Sequence, residues 1–148
     1  MSDTTIAWIH GDNLNPKQPA LTINGDVPAI FVWDDTLLAE WDISFKRIVF
    51  MYECLLEMPV TIRRGNVAEE VVRFALEHDA KHILTSESPS PRHRQICRQI
   101  ANNMPSGSRL DVLSNDPYVD YDNERLDLKR FSRYWSTVKK TAMRPTKR

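Results

Sequence analysis

The chain has 148 residues but only four glycines, which are too few to build a glycine-rich phosphate loop. The dinucleotide pattern G-x-G-x-x-G, the P-loop pattern G-x-x-x-x-G-K-[ST] and the hydrolase pattern G-x-S-x-G do not occur in the sequence. The sequence therefore argues against three common classes of nucleotide-binding and ester-cleaving site.

Cysteine, net charge and long apolar runs are also scarce. The two cysteines form no Cys-x-x-Cys pair, and reduced thiols in a cytoplasmic protein are the simplest interpretation. Twenty basic residues balance twenty acidic ones, so the net charge favours neither nucleic acid nor a membrane surface. No apolar run approaches the ~18 residues of a membrane helix, and the N-terminal MSDTTIAW does not resemble a signal peptide.

Short apolar runs alternate with helical patterns along the chain. The predicted strands are Ile6–Ile9, Pro28–Trp33, Pro59–Ile62, His82–Thr85 and Arg109–Leu113. The predicted helices follow the apolar spacing from Trp41 to Leu55, an Asn66 N-cap, and a proline start at Pro91. This alternation predicts one α/β domain over residues 1–148, a Rossmann-like doubly wound five-stranded parallel sheet in the order 3-2-1-4-5 with helices on both faces.

Charge is unevenly distributed near the C-terminal end of the sequence. Residues 111–127 contain six acidic residues and one basic residue, whereas residues 129–148 contain eight basic residues and no acidic one. Residues 114–128 are interpreted as a surface loop, and residues 129–148 as a basic helix and tail. A solvated helix is the favoured interpretation; docking to DNA or to an acidic partner is the alternative.

Polar residues follow several of the predicted strands. In an open parallel sheet, ligands bind beyond the carboxyl ends of the strands where the strand order reverses, here between the first and fourth strands. The candidate ligand-binding residues at that edge are His10, Gly11, Asp12, Trp33, Asp34, Asp35, Ser86, Glu87 and Arg92.

Each candidate has more than one interpretation. His10 could act as a general base oriented by Asp12 or Glu87, although a hydrogen-bonded histidine at a strand end is favoured. Asp34 and Asp35 could bind a metal, but adjacent residues point in different directions, and aspartate commonly caps the next turn. Arg92, His93 and Arg94 at the head of a helix could bind an anion, although a solvated first turn is favoured. No residue is assigned as catalytic or as a metal ligand.

Five segments in the correct order resemble the N-terminal domain of DNA photolyases and cryptochromes. The segments are Trp8 with Asp12 and Pro19-Ala20-Leu21, Ala29-Ile-Phe-Val-Trp-Asp34, Phe45 to Leu56, Ile62-Arg-Arg-Gly65-Asn66 with Glu69-Glu70-Val71, and Phe131-Ser-Arg-Tyr-Trp135. They resemble that family's Trp-Phe-Arg-Arg-Asp start with Asn-Pro-Ala-Leu, its second strand, its Phe-Leu-x-x-Ser-Leu helix, its Arg-Gly-Asp-Pro-x-Glu-Val segment and its Phe-Thr-Pro-Phe-Trp close.

The resemblance implies a stand-alone antenna-type domain without enzyme activity of its own. Such domains can hold a deazaflavin, a flavin or a folate, whereas FAD belongs to a separate helical domain and is not expected on this chain. The resemblance also implies docking onto a flavin-binding partner in light-dependent DNA repair or signalling, or pairing as a homodimer. The family's arginines after the first strand are replaced by His10, Gly11 and Leu14. Pro89-Ser90-Pro91 stands where the family has Tyr-Glu-Pro, whose glutamate contacts folate.

A second resemblance is to the universal stress proteins, which share this layered fold. Those proteins bind ATP through a Gly-x-x-Gly loop after the fourth strand. The matching stretch here, SESPSPRHRQ, contains no glycine. The missing glycines make this resemblance the weaker of the two. A nucleotide-binding protein of this kind, or a hydrolase using His10 and Asp12, is kept as the alternative.

Overall fold

A computed structural model of the chain describes residues 4–115 and, beyond them, residues 132, 135, 136 and 139, which are helical. The chain divides into two compact units, residues 1–115 and residues 116–148, and the sheet lies in the first. The predicted loop over residues 114–128 and the basic segment 129–148 fall almost wholly outside the described residues. The single domain over residues 1–148 stays a prediction.

Five parallel strands form one sheet in the order β3-β2-β1-β4-β5, which confirms the predicted fold class and strand order. The strands are β1 Thr4–Ile9, β2 Ala29–Trp33, β3 Thr61–Arg64, β4 Ala80–Ser86 and β5 Arg109–Leu113. The helices are α1 Pro19–Thr22, α2 Asp35–Glu40, α3 Phe45–Leu56, α4 Val67–Glu77 and α5 Pro91–Asn103. In the sheet Trp8 lies opposite Ile30 on one side and Thr85 on the other.

The central strand β1 is buried on both faces because helices cover both sides of the sheet. Alternation along the strand sends Ile6 and Trp8 to the face packed against α4 and α5, and Ala7 and Ile9 to the other face. That second face packs against α1 and α3. A run of consecutive apolar residues is what a parallel strand between two helical layers requires.

Side-chain caps fix where the helices begin. Asn66 accepts a hydrogen bond from the backbone N–H of Glu69, as predicted, and Ser44 and Ser90 cap α3 and α5 in the same way. No helix in the described part of the chain has both the length and the hydropathy needed to cross a bilayer.

The continuous helix predicted from Trp41 to Leu55 is wrong. Trp41 ends α2, Asp42 adopts a positive φ of 51°, and α3 begins only at Phe45. The left-handed residue breaks the helical path, and the Ser44 cap starts a new helix. As a result, Met51 and Leu55 face the core while Phe45 is exposed.

The third strand lies two residues later than predicted. The N–H of Val60 donates to the carbonyl of Met58, so the Pro59-Val60 pair belongs to the turn after α3. Thr61 then pairs with Ile30, and the strand runs on to Arg64.

Candidate functional site

A cavity of about 310 Å³ opens beyond the carboxyl ends of β1 and β2. Its walls combine aliphatic side chains with four aromatic ones: Trp8, Phe31 and Trp33 from the strands and Trp41 from the end of α2. Arg47 and Arg92 bring two guanidinium groups to the same cavity from α3 and α5. Planar aromatic walls combined with cationic groups are chemically suited to a flat, anionic molecule.

Six of the nine candidate residues line this cavity and three do not. The lining residues are His10, Gly11, Asp12, Trp33, Asp34 and Arg92. Asp35, Ser86 and Glu87 lie outside the lining. The cavity is therefore displaced from the β1–β4 seam, where the strand order reverses, toward the β1–β2 side.

The β1–β4 seam is filled by hydrogen bonds within the protein. Gln18 is 1% exposed, and its amide nitrogen donates to the carbonyls of Asn13 and Asn15 at 2.9 and 3.0 Å. The hydroxyl of Ser86 donates to Oε1 of Gln18 at 2.9 Å. Glu87 is engaged nearby, since its carboxylate accepts from the N–H of Asn115. A single glutamine before a short helix forms no recognisable pattern, and sequence reasoning missed it.

The hydrogen bonds of His10 define its tautomer. Nε2 lies 2.7 Å from the carbonyl oxygen of Ser86, which can only accept, so Nε2 carries the proton. Nδ1 accepts from the backbone N–H of Asp12 at 3.3 Å. Burial is the main cause that lowers the pKa of His10, against smaller opposing effects of the Ser86 carbonyl and Asp12. Both ring nitrogens are thus occupied in holding the loop after β1.

Three rings pack together at the cavity, two of them stacked and the third tilted against them. Trp8 and His93 are nearly parallel, with centroids 5.4 Å apart and an interplanar angle of 6°, and His10 lies 4.5 Å from His93. Burial, followed by the neighbouring His10, lowers the pKa of His93 to about 4. The sequence names His93 only as one of three residues at the head of a helix that could bind an anion; its stacking on Trp8 and its contact with Cys97 were not predicted.

Cys97 is not activated by its histidine neighbour. Its Sγ lies 3.7 Å from Nε2 of His93, but burial raises the pKa of the Cys97 thiol to about 11. At neutral pH the thiol is protonated, and a protonated thiol is a poor nucleophile.

The two adjacent aspartates have separate structural roles. Asp34 is buried, and its two carboxylate oxygens accept from the backbone N–H groups of Leu37 and Val67, which joins the starts of α2 and α4. Asp35 points away and forms a two-bond pair with Arg64 that lowers the pKa of Asp35. Among the described residues, no group of three histidine, cysteine or carboxylate side chains could hold a metal ion.

The two arginines at the cavity differ in their partners. Arg47 lies 3.8 Å from Asp12, which also accepts from the hydroxyl of Ser88. The guanidinium of Arg92 sits 4.8 Å from the ring centroid of Trp41. Within the described residues Arg92 has no carboxylate at salt-bridge distance. Arg92 is therefore the cation best placed to meet an anionic group of a ligand.

The fold and the cavity together define a parallel α/β domain with a small cavity, partly lined by aromatic side chains, at the carboxyl edge of its sheet. No protein-family model matches the sequence, and no curated protein is significantly similar to it.

Proposed function

We propose that the chain is a non-catalytic, antenna-type binding domain that holds a planar heteroaromatic ligand carrying an anionic group. The observation that carries the proposal is the cavity at the ends of β1 and β2, with aromatic walls and the guanidinium of Arg92 on Trp41. The ring system of the ligand would lie between the tryptophans, and its anionic group would meet Arg92.

The volume of the cavity narrows the ligand class. Ligand cavities typically measure about 300–1,000 Å³, and this one lies at the lower end of that range. One fused ring system with a short tail suits this space better than an extended dinucleotide such as FAD. A flavin mononucleotide, a deazaflavin or a folate chromophore is the ligand class proposed, in keeping with the photolyase resemblance.

The side chains around the cavity support binding rather than catalysis. Both ring nitrogens of His10 are hydrogen-bonded to the backbone, and the carboxylate of Asp34 caps two helices. The Cys97 thiol is held in its protonated form by burial. These three groups are therefore not free to act as a nucleophile or a general base.

The proposal is tested by titrating the full chain with FMN, a deazaflavin, a methenyl-folate, AMP and ATP while following tryptophan fluorescence and ligand absorbance. We expect FMN or one of the other two chromophores to quench the tryptophans at the cavity. Arg92→Ala should weaken that binding about tenfold through loss of a charge-assisted contact. Arg94→Ala is the matched control, because Arg94 is exposed on the same helix and does not line the cavity.

Two results would decide against the antenna proposal. Binding of AMP or ATP without any of the chromophores would favour the universal-stress-protein-like alternative, with phosphate at the Ser90 and Arg92 end of α5. If the Arg92 and Arg94 substitutions weaken chromophore binding equally, the ligand does not bind in the cavity.

Docking onto a flavin-binding partner is a further part of the proposal. It is tested by co-elution of the chain with such a domain in the light and in the dark.

A further inference from the structure

A second surface lies on the outer side of α3. Four apolar side chains follow one another there at helical spacing and are exposed: Phe45 at 79%, Val49 at 39%, Tyr52 at 48% and Leu56 at 64%. We call these four residues the α3 stripe. Spacings of four, three and four residues place them on one face of the helix. A solvent-facing helix normally has polar residues at these positions.

The α3 stripe is separate from both the core and the cavity. Met51 and Leu55 point toward the sheet from a different side of the helix, and Arg47 and Met51 reach the cavity. α3 thus has one apolar side packed against the domain and a second that no described element covers. Exposed contiguous apolar surface of this kind marks a contact site for another molecule.

The charges beside the stripe identify the partner. Lys46, Glu53 and Glu57 are exposed and follow one another along one flank of α3, with the basic residue at the start and the acidic residues at the end. Within the described residues none of the three takes part in an ion pair. The exposed side chain of Phe50 lies between them on that flank.

We propose that α3 pairs with α3 of a second copy of this chain in an antiparallel arrangement. A twofold axis near the middle of the helix brings Phe45 of each copy against Leu56 of the other, and Val49 against Tyr52. The same axis places Lys46 of each copy between Glu53 and Glu57 of the other, because antiparallel helices bring equivalent flanks together. A parallel pair would instead set the charged flank of each copy against the opposite flank of the other, and these charges would not meet.

The helix length sets the expected strength of this dimer. Twelve residues at 1.5 Å per residue give a contact about 18 Å long. A contact formed by one short helix from each copy lies at the small end of specific interfaces, so a weak dimer in exchange with monomer is expected. The apolar side chains of the stripe provide the attraction between the two copies. The charges on the flank favour the antiparallel orientation of the two helices.

The first experiment measures the self-association of the full chain by sedimentation velocity over a concentration series. Leu56→Gln should weaken the dimer about tenfold, because each dimer loses the apolar contact twice. Leu76→Gln is the matched control: Leu76 is also a leucine near the end of its helix, and it is 56% exposed on α4. It should leave the dissociation constant unchanged.

The second experiment tests the antiparallel arrangement through charge reversal. Lys46→Glu alone and Glu53→Lys with Glu57→Lys should each weaken the homodimer, since like charges then meet across the axis. All three substitutions in one chain should restore it. A mixture of the Lys46→Glu chain with the doubly substituted chain should form heterodimers in preference to either homodimer, as counted by native mass spectrometry.

Several results would overturn the proposal. These are a chain that is monomeric at every concentration, a dimer that ignores Leu56→Gln, or charge reversals that the triple substitution does not rescue. A monomeric chain would mean that another part of the chain or a different protein covers the stripe. Circular dichroism of each variant checks that the fold is intact. Because the stripe and the cavity lie on opposite sides of α3, failure here would leave the ligand proposal untouched.

Discussion

The free energy of unfolding should depend on pH through His93. This ring is 5% exposed, stacks on Trp8 and lies 4.5 Å from the ring of His10. Its pKa is about 4 in the folded chain and 6.5 as a reference for the unfolded chain. Between these values the unfolded chain takes up a proton that the folded chain does not. Stability from this group is therefore fully present above pH 6.5 and is lost as pH falls toward 4.

The two pKa values set an upper limit on the effect. Each pKa unit corresponds to about 1.4 kcal/mol, so a difference of about 2.5 corresponds to at most about 3.5 kcal/mol. Local relaxation and entry of water on protonation reduce this penalty, so a loss of about 1–2 kcal/mol is expected. Domains of this size are stable by about 5–15 kcal/mol, so the change is measurable.

The assay is urea unfolding followed by tryptophan fluorescence at half-unit steps from pH 8 to pH 4.5. His93→Phe is the test variant, because phenylalanine keeps an aromatic ring against Trp8 but takes up no proton. Above pH 6.5 the difference between their free energies of unfolding should not change with pH. Below pH 6.5 the free energy of unfolding of the wild type should fall faster than that of the variant. The variant retains a shallower slope because burial also lowers the pKa of His10.

Parallel stability curves for the two proteins across the whole range would refute the reasoning. So would a direct proton-NMR titration that places the pKa of His93 near 6.5. The groups facing this ring are His10, Asp12 and Cys97, and only Asp12 favours the protonated form. The low pKa of His93 therefore results from burial and from the neighbouring His10.

The remaining predictions concern buried polar groups and the cavity. Thr85→Val should raise the free energy of unfolding by about 1 kcal/mol, because the buried Thr85 hydroxyl has no hydrogen-bond partner among the described residues. Ser86→Ala, one residue later, should lower it by about 1–3 kcal/mol, since it leaves Gln18 without its donor; urea unfolding measures both. Asp34→Ala should cost about 2 kcal/mol in the same assay through the loss of two capping bonds. Gly11→Ala should keep the fold but weaken FMN binding, because the added Cβ would lie 2.7 Å from Cε of Met51 and push that side chain within the cavity.

The sheet could be predicted from the sequence because its signals are local. Strands such as β1 and β2 carry short apolar runs, and the alternation of strands with helices leaves few possible topologies. The break between α2 and α3 could not be predicted from apolar spacing, because Trp41 and Phe45 keep the helical period across it. Ser44 was the available signal, since its side chain caps α3 once Asp42 turns the chain.

The position of the cavity could be predicted only to within one strand. Topology indicates the seam between β1 and β4, but whether a seam is open depends on the side chains that reach it. Here Gln18 and Ser86 fill it, and the bond from His10 to the Ser86 carbonyl draws that ring into the same network. The open space is left beside β2, where Trp41, the residue that ends α2, lines the cavity. The wrongly predicted helix and the displaced cavity thus both involve the turn between α2 and α3. The sequence predicts this turn only if the Ser44 cap is given more weight than the apolar spacing that continues across it.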